Sequence, residues 1–243
     1  MDLEKLDLLY EGKAKLVYRT SDPDLLWIHY KDSATAFNAQ KRAEISGKGE
    51  LNNLISAHLF SYLKEKGVES HFVKLINPRE MLVKRLEIIK VEVTMRNIAA
   101  GSMTRRLGVP EGTELAFPIL EYSFKDDALG DPMVNTDHVL VMGLASREEL
   151  RRIKEISRTV NDILRAHLRE LGIILVDFKL EFGRHQGQIM LGDEISPDTC
   201  RFWDSNTGNR LDKDRFRLDM GGLTEAYGEI WNRLTGASVQ RNK

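Results

Sequence analysis

Between Asp177 and Phe182 polar and apolar residues alternate strictly, with Phe178, Leu180 and Phe182 on one side of an extended chain and Asp177, Lys179 and Glu181 on the other. The pattern predicts a β-strand over 175–183 whose apolar face enters a core and whose polar face sets a cation between carboxylates. A polar turn at 184–187 and a second apolar run, Ile189-Met190-Leu191, predict a hairpin. Its return strand brings Asp193 and Glu194 back toward the first row of charges. Hard oxygens and positive charge gathered in this way suit a magnesium-nucleotide site. The same alternation also describes a solvated, self-paired strand face.

The front of the chain reads as short strands at 8–10, 15–19 and 25–30, with a turn at Ser21-Asp22-Pro23, and so as an antiparallel meander. A helix is predicted over 54–66 from Leu54, Ile55, Leu59, Phe60, Tyr62 and Leu63, ending at Gly67. Strands follow at 72–75 and 80–84. Further on, Ser146 and Glu149 form a capping box, and Leu150, Ile153, Val160, Ile163, Leu164, Leu168 and Leu171 repeat at helical spacing as far as Gly172. A last helix is predicted over 223–234, and the tail at 238–243 is expected to fray. Strands gathered in front and helices behind indicate an α+β fold. No internal repeat or low-complexity linker interrupts the chain.

Composition narrows the class. With 243 residues, 42% of them hydrophobic, the chain can hold one large domain or two small ones. A formal net charge of −1 gives no general attraction to nucleic acid or to an anionic membrane. No apolar run approaches the roughly 18 to 20 residues of a membrane span, and the acidic start Met1-Asp2-Leu3-Glu4-Lys5 is not a signal peptide. The single cysteine, Cys200, cannot form an internal disulfide, which fits a reducing compartment, and the cytoplasm is the expected location. No thiol-enzyme signature surrounds Cys200. The histidines, among them His58 and His167 on predicted helices, show no metal-ligand spacing.

Three further groups of residues carry candidate chemistry. Gly12-Lys13-Ala14-Lys15 lies between predicted strands, where small residues let backbone amides approach a phosphate and the lysines neutralise it. Its spacing is neither the Walker pattern nor the kinase glycine-rich loop, so by itself it also describes a basic hairpin tip. Asp193 and Glu181 are the candidate Mg²⁺ ligands, because that ion takes one or two protein carboxylates and completes its shell with phosphates and water. Arg96, Ala100-Gly101-Ser102 and Arg201 form a second anion site. Ser102 opens a predicted helix whose free amides favour a phosphate, and arginine adds a bidentate fork, although Ser102 alone also reads as a plain helix cap. For Lys179 an internal salt bridge to Asp177 or Glu181 is compatible with a role at a substrate.

The run at 175–183 resembles the signature of the phosphoribosylaminoimidazole-succinocarboxamide synthase (SAICAR synthetase) family, and the resemblance extends over nearly the whole chain. Tyr10-Glu11-Gly12-Lys13-Ala14-Lys15, Gly47-Lys48-Gly49 with Asn52-Asn53, Leu82-Val83-Lys84-Arg85 and Arg96-Asn97 with Ala100-Gly101-Ser102 fall in the family's order. So do Lys125-Asp126-Asp127 with Asp131-Pro132-Met133-Val134-Asn135, and Gly192-Asp193-Glu194 through Ser196-Pro197-Asp198 with Arg201. One departure stands out: Asn38 follows Ala36-Phe37 where one form of the family motif has an aspartate, which puts a role for position 38 in aspartate recognition in doubt.

The resemblance implies two lobes with ATP in a cleft between them, similar in outline to protein kinases and ATP-grasp enzymes. An N-terminal antiparallel β lobe over 1–85 would cover ATP, and a larger α+β lobe over 86–243 would carry the substrate and metal sites. Lys13, Ala14 and Lys15 would hold ATP phosphates. The backbone of Leu82-Val83-Lys84 would meet the adenine edge, and Val17, Leu26 and Leu86 would wall the base. Asp177, Lys179, Glu181 and Asp193 would form the catalytic set, with Lys179 holding the substrate carboxylate and Asp177 orienting a substrate hydroxyl or amine. Arg96, Ser102 and Arg201 would hold the ribose 5′-phosphate. The implied activity is an ATP- and Mg²⁺-dependent ligase joining L-aspartate to carboxyaminoimidazole ribotide through an acyl phosphate, in a homo-oligomer. The rivals are a small-molecule kinase on a similar cleft and a nucleotide-binding module without turnover.

Overall fold

The computed structural model describes residues 3–36 and 40–236; Met1 and Asp2, Asn38 and the tail at 238–243 lie outside the described residues. Strands β1 (Lys5–Glu11), β2 (Lys15–Thr20) and β3 (Leu25–Tyr30) form the expected meander. Its first turn is closed by Gly12 N donating to Lys15 O at 2.8 Å, and its second by Leu25 N donating to Asp22 O at 3.1 Å. A small ribbon, β4 (Ser33–Ala36) with β5 (Lys41–Glu44), leads into α1 (Lys48–Glu65). The hairpin of β6 (Phe72–Asn77) and β7 (Glu80–Lys84) then completes a five-stranded sheet in the order β1-β2-β3-β7-β6.

The rest of the chain builds a second sheet. Its elements are β8 (Glu87–Ile98), α2 (Ser102–Leu107), β9 (Glu114–Phe124), β10 (Met133–Val134), α3 (Thr136–Val141) and α4 (Arg147–Glu170). They continue with β11 (Ile173–His185), β12 (Gln188–Gly192), β13 (Cys200–Asp204), α5 (Asp214–Arg217) and α6 (Leu223–Thr235). The strand order is β10-β9-β8-β11-β12, with β13 pairing the first half of β11 on the edge that β12 takes in its second half. All of these ladders are antiparallel. The chain is thus a mixed helix-and-strand fold.

The inward faces of β8 (Val91, Val93, Met95) and β11 (Phe178, Leu180, Phe182) pack against Ile153, Val160, Leu164 and Leu168 of α4 in the larger core. Each such side chain contributes about 1.5–3 kcal/mol on burial, so this face holds the polar face of β11 rigidly in place. Helix α4 starts at the predicted capping box: Ser146 N donates to Glu149 Oε2 at 2.7 Å, and Glu149 N to Ser146 Oγ at 3.2 Å. Arg184 at the end of β11 bonds the same Glu149 carboxylate, and that contact, with burial opposing it, pulls the Glu149 pKa down to about 2.

Helix α1 begins at Lys48, not at 54. Its first turns bury polar residues, Lys48, Asn52 and Asn53, which no apolar periodicity reveals. Asp32 accepts a hydrogen bond from Gly49 N at 2.9 Å, fixing that start. Although α1 precedes residue 85, Ile55, Leu59, Phe60 and Leu63 join the larger core, and Ala57 joins the smaller one beside Ile28, Met81 and Val83. Strands β8, β9 and β13 were absent from the expected elements, and they form most of the frame around the polar face of β11.

Candidate active site

A cavity of about 950 Å³ is lined from both sheets. Along its floor the register of β11 sets the order of charge. Asp177 lies opposite Arg96 on β8 and Arg201 on β13, while Glu181 lies opposite Glu92 on β8. Side chains directly across a pleated sheet share a face, so three strands bring these residues into one row.

At one end sits an arginine cluster around Asp177. Arg96 Nη1 donates to Asp177 Oδ2 at 2.7 Å, its Nε to Glu121 Oε2 at 2.7 Å, and its Nη2 to Ser102 Oγ at 3.2 Å. Arg201 Nη1 donates to both Asp177 oxygens, at 3.0 and 2.9 Å, and its Nε to Asp214 Oδ2 at 2.8 Å. Burial works against the Arg201 charge, but Asp177 and Asp214 outweigh it and raise its pKa. Gly101, at φ +59°, lies so close that a Cβ there would overlap the Arg201 guanidinium. Only glycine meets both conditions at this position.

At the other end lysines and carboxylates interleave. Lys179 Nζ is 2.9 Å from Glu181 Oε1, 3.2 Å from Glu92 Oε2 and 3.8 Å from Asp193 Oδ2. Glu181 also pairs with Lys125, and Asp193 with Lys15, whose Nζ lies 2.9 Å from Glu194 Oε1. Burial alone would discharge Lys15 and Lys179. The surrounding carboxylates, Asp193 and Glu194 for the first and Glu181, Asp193 and Glu92 for the second, raise both pKa values well above the ordinary lysine range. Conversely, burial would protonate Asp193, but Lys15 and Lys179 hold its pKa well below the usual value. Glu92 is pushed up, by burial first and by Glu181 among its other neighbours. Burial and Asp193 push the Glu181 carboxyl up, but Lys179 and Lys125 together outweigh them and hold it below the usual carboxylate range.

That donor set fits Mg²⁺: two ionised hard-oxygen groups at one edge of a cavity, paired with ammonium groups. Among the described residues no cluster of three or more His, Cys, Asp or Glu side chains is placed to hold a metal unaided. An ion here would therefore complete its shell with phosphate and water.

Except for Leu82, Ala100 and Gly101, the described residues expected at the site line the cavity. Lys13, Ala14 and Lys15 come from the turn between β1 and β2, and Val17, Leu26 and Val83 give an apolar wall that ends at Lys84. Lys13 is exposed and pairs with Asp127 at 2.6 Å. The internal salt bridge foreseen for Lys179 forms with Glu181; Asp177 belongs to the arginine end. Cys200 lies deep, and burial pushes its thiol well above the ordinary range, which suits a packed residue and not a nucleophile.

Several participants were not foreseen. Glu92 alternates with Val91, Val93 and Met95 along the unpredicted β8, where the period-two pattern Lys90, Glu92, Thr94, Arg96 carried the signal, and Glu121 comes from the neighbouring β9. Asp214, which opens a short helix with no apolar period, and Lys213 just before it had none. Nor did His71, a buried imidazole whose Nε2 lies 3.0 Å from Asp193 O and whose pKa burial lowers to about 4.

Known proteins resemble this arrangement over almost its full extent. The sequence profile of the SAICAR synthetase family matches residues 8–234. A phosphoribosylaminoimidazole-succinocarboxamide synthase from Brevibacillus brevis is 57% identical over 235 residues, covering 96% of this chain and 98% of the relative. The crystal structure of the Ehrlichia chaffeensis synthase superposes with a TM-score of 0.93 at 46% identity, over 96% of this chain and all of that one. A structure of SAICAR synthetase in complex with ADP superposes with a TM-score of 0.91 at 50% identity, covering 93% of this chain and 97% of its own.

Proposed function

The chain belongs to the SAICAR synthetase family, and from that premise we propose how its cavity divides the work of an ATP-dependent carbon–nitrogen ligase. The enzyme joins L-aspartate to carboxyaminoimidazole ribotide at the expense of ATP, giving SAICAR, ADP and phosphate in purine biosynthesis. The observation that carries the division of labour is the single row on β11, with an arginine cluster at one end and interleaved lysines and carboxylates at the other.

We assign the nucleotide to the first sheet. Lys13, Ala14 and Lys15 meet the phosphates from the turn between β1 and β2, and Val17 and Leu26 face the base. The backbone at Val83 and Lys84 presents its polar groups to the adenine edge. Residues 1–85 then act as a lobe covering ATP and residues 86–243 as the lobe holding substrate, in a cleft of kinase-like outline. Helix α1 ties the two together through both cores. Arg96, Ser102 and Arg201 take the ribotide phosphate, which suits the planar fork of arginine. Lys179 faces the substrate carboxylate next to the γ-phosphate. Glu181 and Asp193 hold Mg²⁺, which when bound spreads the negative charge of the phosphates.

The chemistry needs activation, because a carboxylate resists attack by an amine. A carboxylate oxygen of the ribotide attacks the γ-phosphorus, the bond to the bridging oxygen breaks, and ADP leaves. The amine of aspartate then attacks the carbonyl carbon of the acyl phosphate, loses a proton, and expels phosphate together with the oxygen that made the first bond. Lys15, Lys125 and Lys179 are positioned to neutralise charge during these transfers, so the protein contributes chiefly orientation and electrostatics. Operation in the cytoplasm is carried over from the composition of the chain, and assembly into a homo-oligomer from the resemblance. Among the described residues no helix is long and apolar enough to cross a membrane.

Purified protein should release ADP over many turnovers only when ribotide and L-aspartate are both present, and leaving out either should reduce sustained release to background. ADP formed with ribotide alone, together with a stable phosphorylated ribotide, would point to the small-molecule kinase. No release under any condition would leave the nucleotide-binding module.

A further inference from the structure

We propose that His71 is a positioning residue for Asp193, holding that carboxylate in the cavity through a hydrogen bond to its backbone carbonyl. The inference rests on the reading of Asp193 as the residue that meets Mg²⁺ and phosphate.

Asp193 has φ +58°, in the left-handed region that residues other than glycine adopt infrequently. Such a conformation persists where the surroundings hold it. Two bonds from His71 reach this turn. Its backbone N donates to Leu191 O at 2.8 Å, and its side-chain Nε2 lies 3.0 Å from Asp193 O. A carbonyl oxygen only accepts, so this contact fixes the imidazole hydrogen on Nε2. The histidine thus straddles Gly192 and grips the chain on either side of it.

His71 is itself well held. It is buried, its ring packs edge-on to Phe60 at 5.4 Å, and its carbonyl accepts from Lys84 N at 2.7 Å. Ser70 forms an isolated parallel bridge with Leu191, so the segment entering β6 is laid against the end of β12. The carbonyl and the carboxylate of Asp193 branch from the same Cα. If the Asp193 peptide turned away from His71, the carboxylate would swing away from Lys15 and Lys179, its partners in the cavity. The contact therefore ties the first sheet, at β6 and β7, to the carboxylate that meets the phosphates.

The test is calorimetric titration of ADP into the full-length protein, with and without Mg²⁺, for the parent, H71L, H71Q and D193N. Leucine fills the space without a donor, whereas the glutamine amide reaches the Nε2 position and can donate. Loss of a partner that orients a metal ligand typically weakens metal affinity about 10- to 100-fold. H71L should lose affinity for ADP by about tenfold or more in Mg²⁺. It should match the parent without Mg²⁺, and H71Q should match the parent in both conditions. If H71L and H71Q lose affinity equally, or H71L loses none, the positioning role is wrong. D193N separates the two readings. If D193N keeps parent-like affinity in Mg²⁺, the assignment of Asp193 fails; if it loses affinity while H71L does not, only the role of His71 fails. Should H71L not fold, H71Q is compared with H71N, whose amide stops at the Nδ1 position short of the carbonyl. Weaker binding in Mg²⁺ for H71N alone supports the proposal, and equal binding overturns it.

Discussion

Asp193→Asn is expected to lower turnover by roughly a hundred- to a thousand-fold while the ribotide binds nearly as before, the range seen when one preorganised electrostatic group is removed from a reaction centre. Asparagine keeps the shape of the side chain and removes its charge. The fold should survive the change, because Lys15 retains Glu194 and Lys179 retains Glu181 and Glu92. What is lost is one of the two ionised oxygens available to Mg²⁺ beside the phosphates. Ribotide affinity should hold because the arginine cluster around Asp177 shares no partner with Asp193. Steady-state rates over a series of Mg²⁺ concentrations, with calorimetry of the ribotide, give both quantities. Near-normal turnover at ordinary Mg²⁺ would remove Asp193 from the metal site.

Arg201→Lys is expected to raise the KM for the ribotide by roughly 10- to 150-fold and to leave the KM for ATP in place. A charged hydrogen bond is worth about 1.5–3 kcal/mol, and lysine keeps the charge but not the fork. Lysine is a cleaner probe here than alanine. Arg201 lies between the buried carboxylates of Asp177 and Asp214, and deleting its charge would leave both short of a partner, adding a cost of about 3–5 kcal/mol in stability. Asp177 still keeps Arg96, and Asp214 keeps Arg217. Separate titrations of each substrate decide the matter. An effect confined to ATP would mean that the anion sites had been assigned the wrong way round.

How much of this was legible depended on the period of each segment. The β11 row was readable because core packing forces a strict alternation, and helix α4 was readable from a different period, apolar residues at helical spacing behind the capping box at Ser146 and Glu149, which forms as expected. Strand β8 had a similar alternation from Lys90 to Arg96, yet it was missed, and with it Glu92, which completes the carboxylates around Lys179. The early turns of α1 were not readable at all, since they bury Lys48, Asn52 and Asn53, and a buried polar side chain looks like a surface one in sequence. Lys48 is held 2.7 Å from Asp198, a contact between residues far apart in the chain. His71 belongs to the same class. Its place is set by a backbone carbonyl across two elements, a long-range relation that local pattern does not record. The residues assigned to substrate follow largely from the family resemblance; the pairing of Arg96 and Arg201 on one carboxylate is set by the ladders of β8, β11 and β13.

The central claim is that phosphoryl transfer to the ribotide carboxylate comes before attack by aspartate, and the fate of one oxygen tests it. Ribotide carrying ¹⁸O in its carboxylate is turned over with unlabelled ATP and L-aspartate, and the released phosphate is analysed by mass spectrometry or ³¹P NMR. If the carboxylate attacks phosphorus first, each phosphate leaves with one labelled oxygen, because that oxygen stays with phosphorus when the amine displaces it. Unlabelled phosphate alongside normal SAICAR formation would contradict the account.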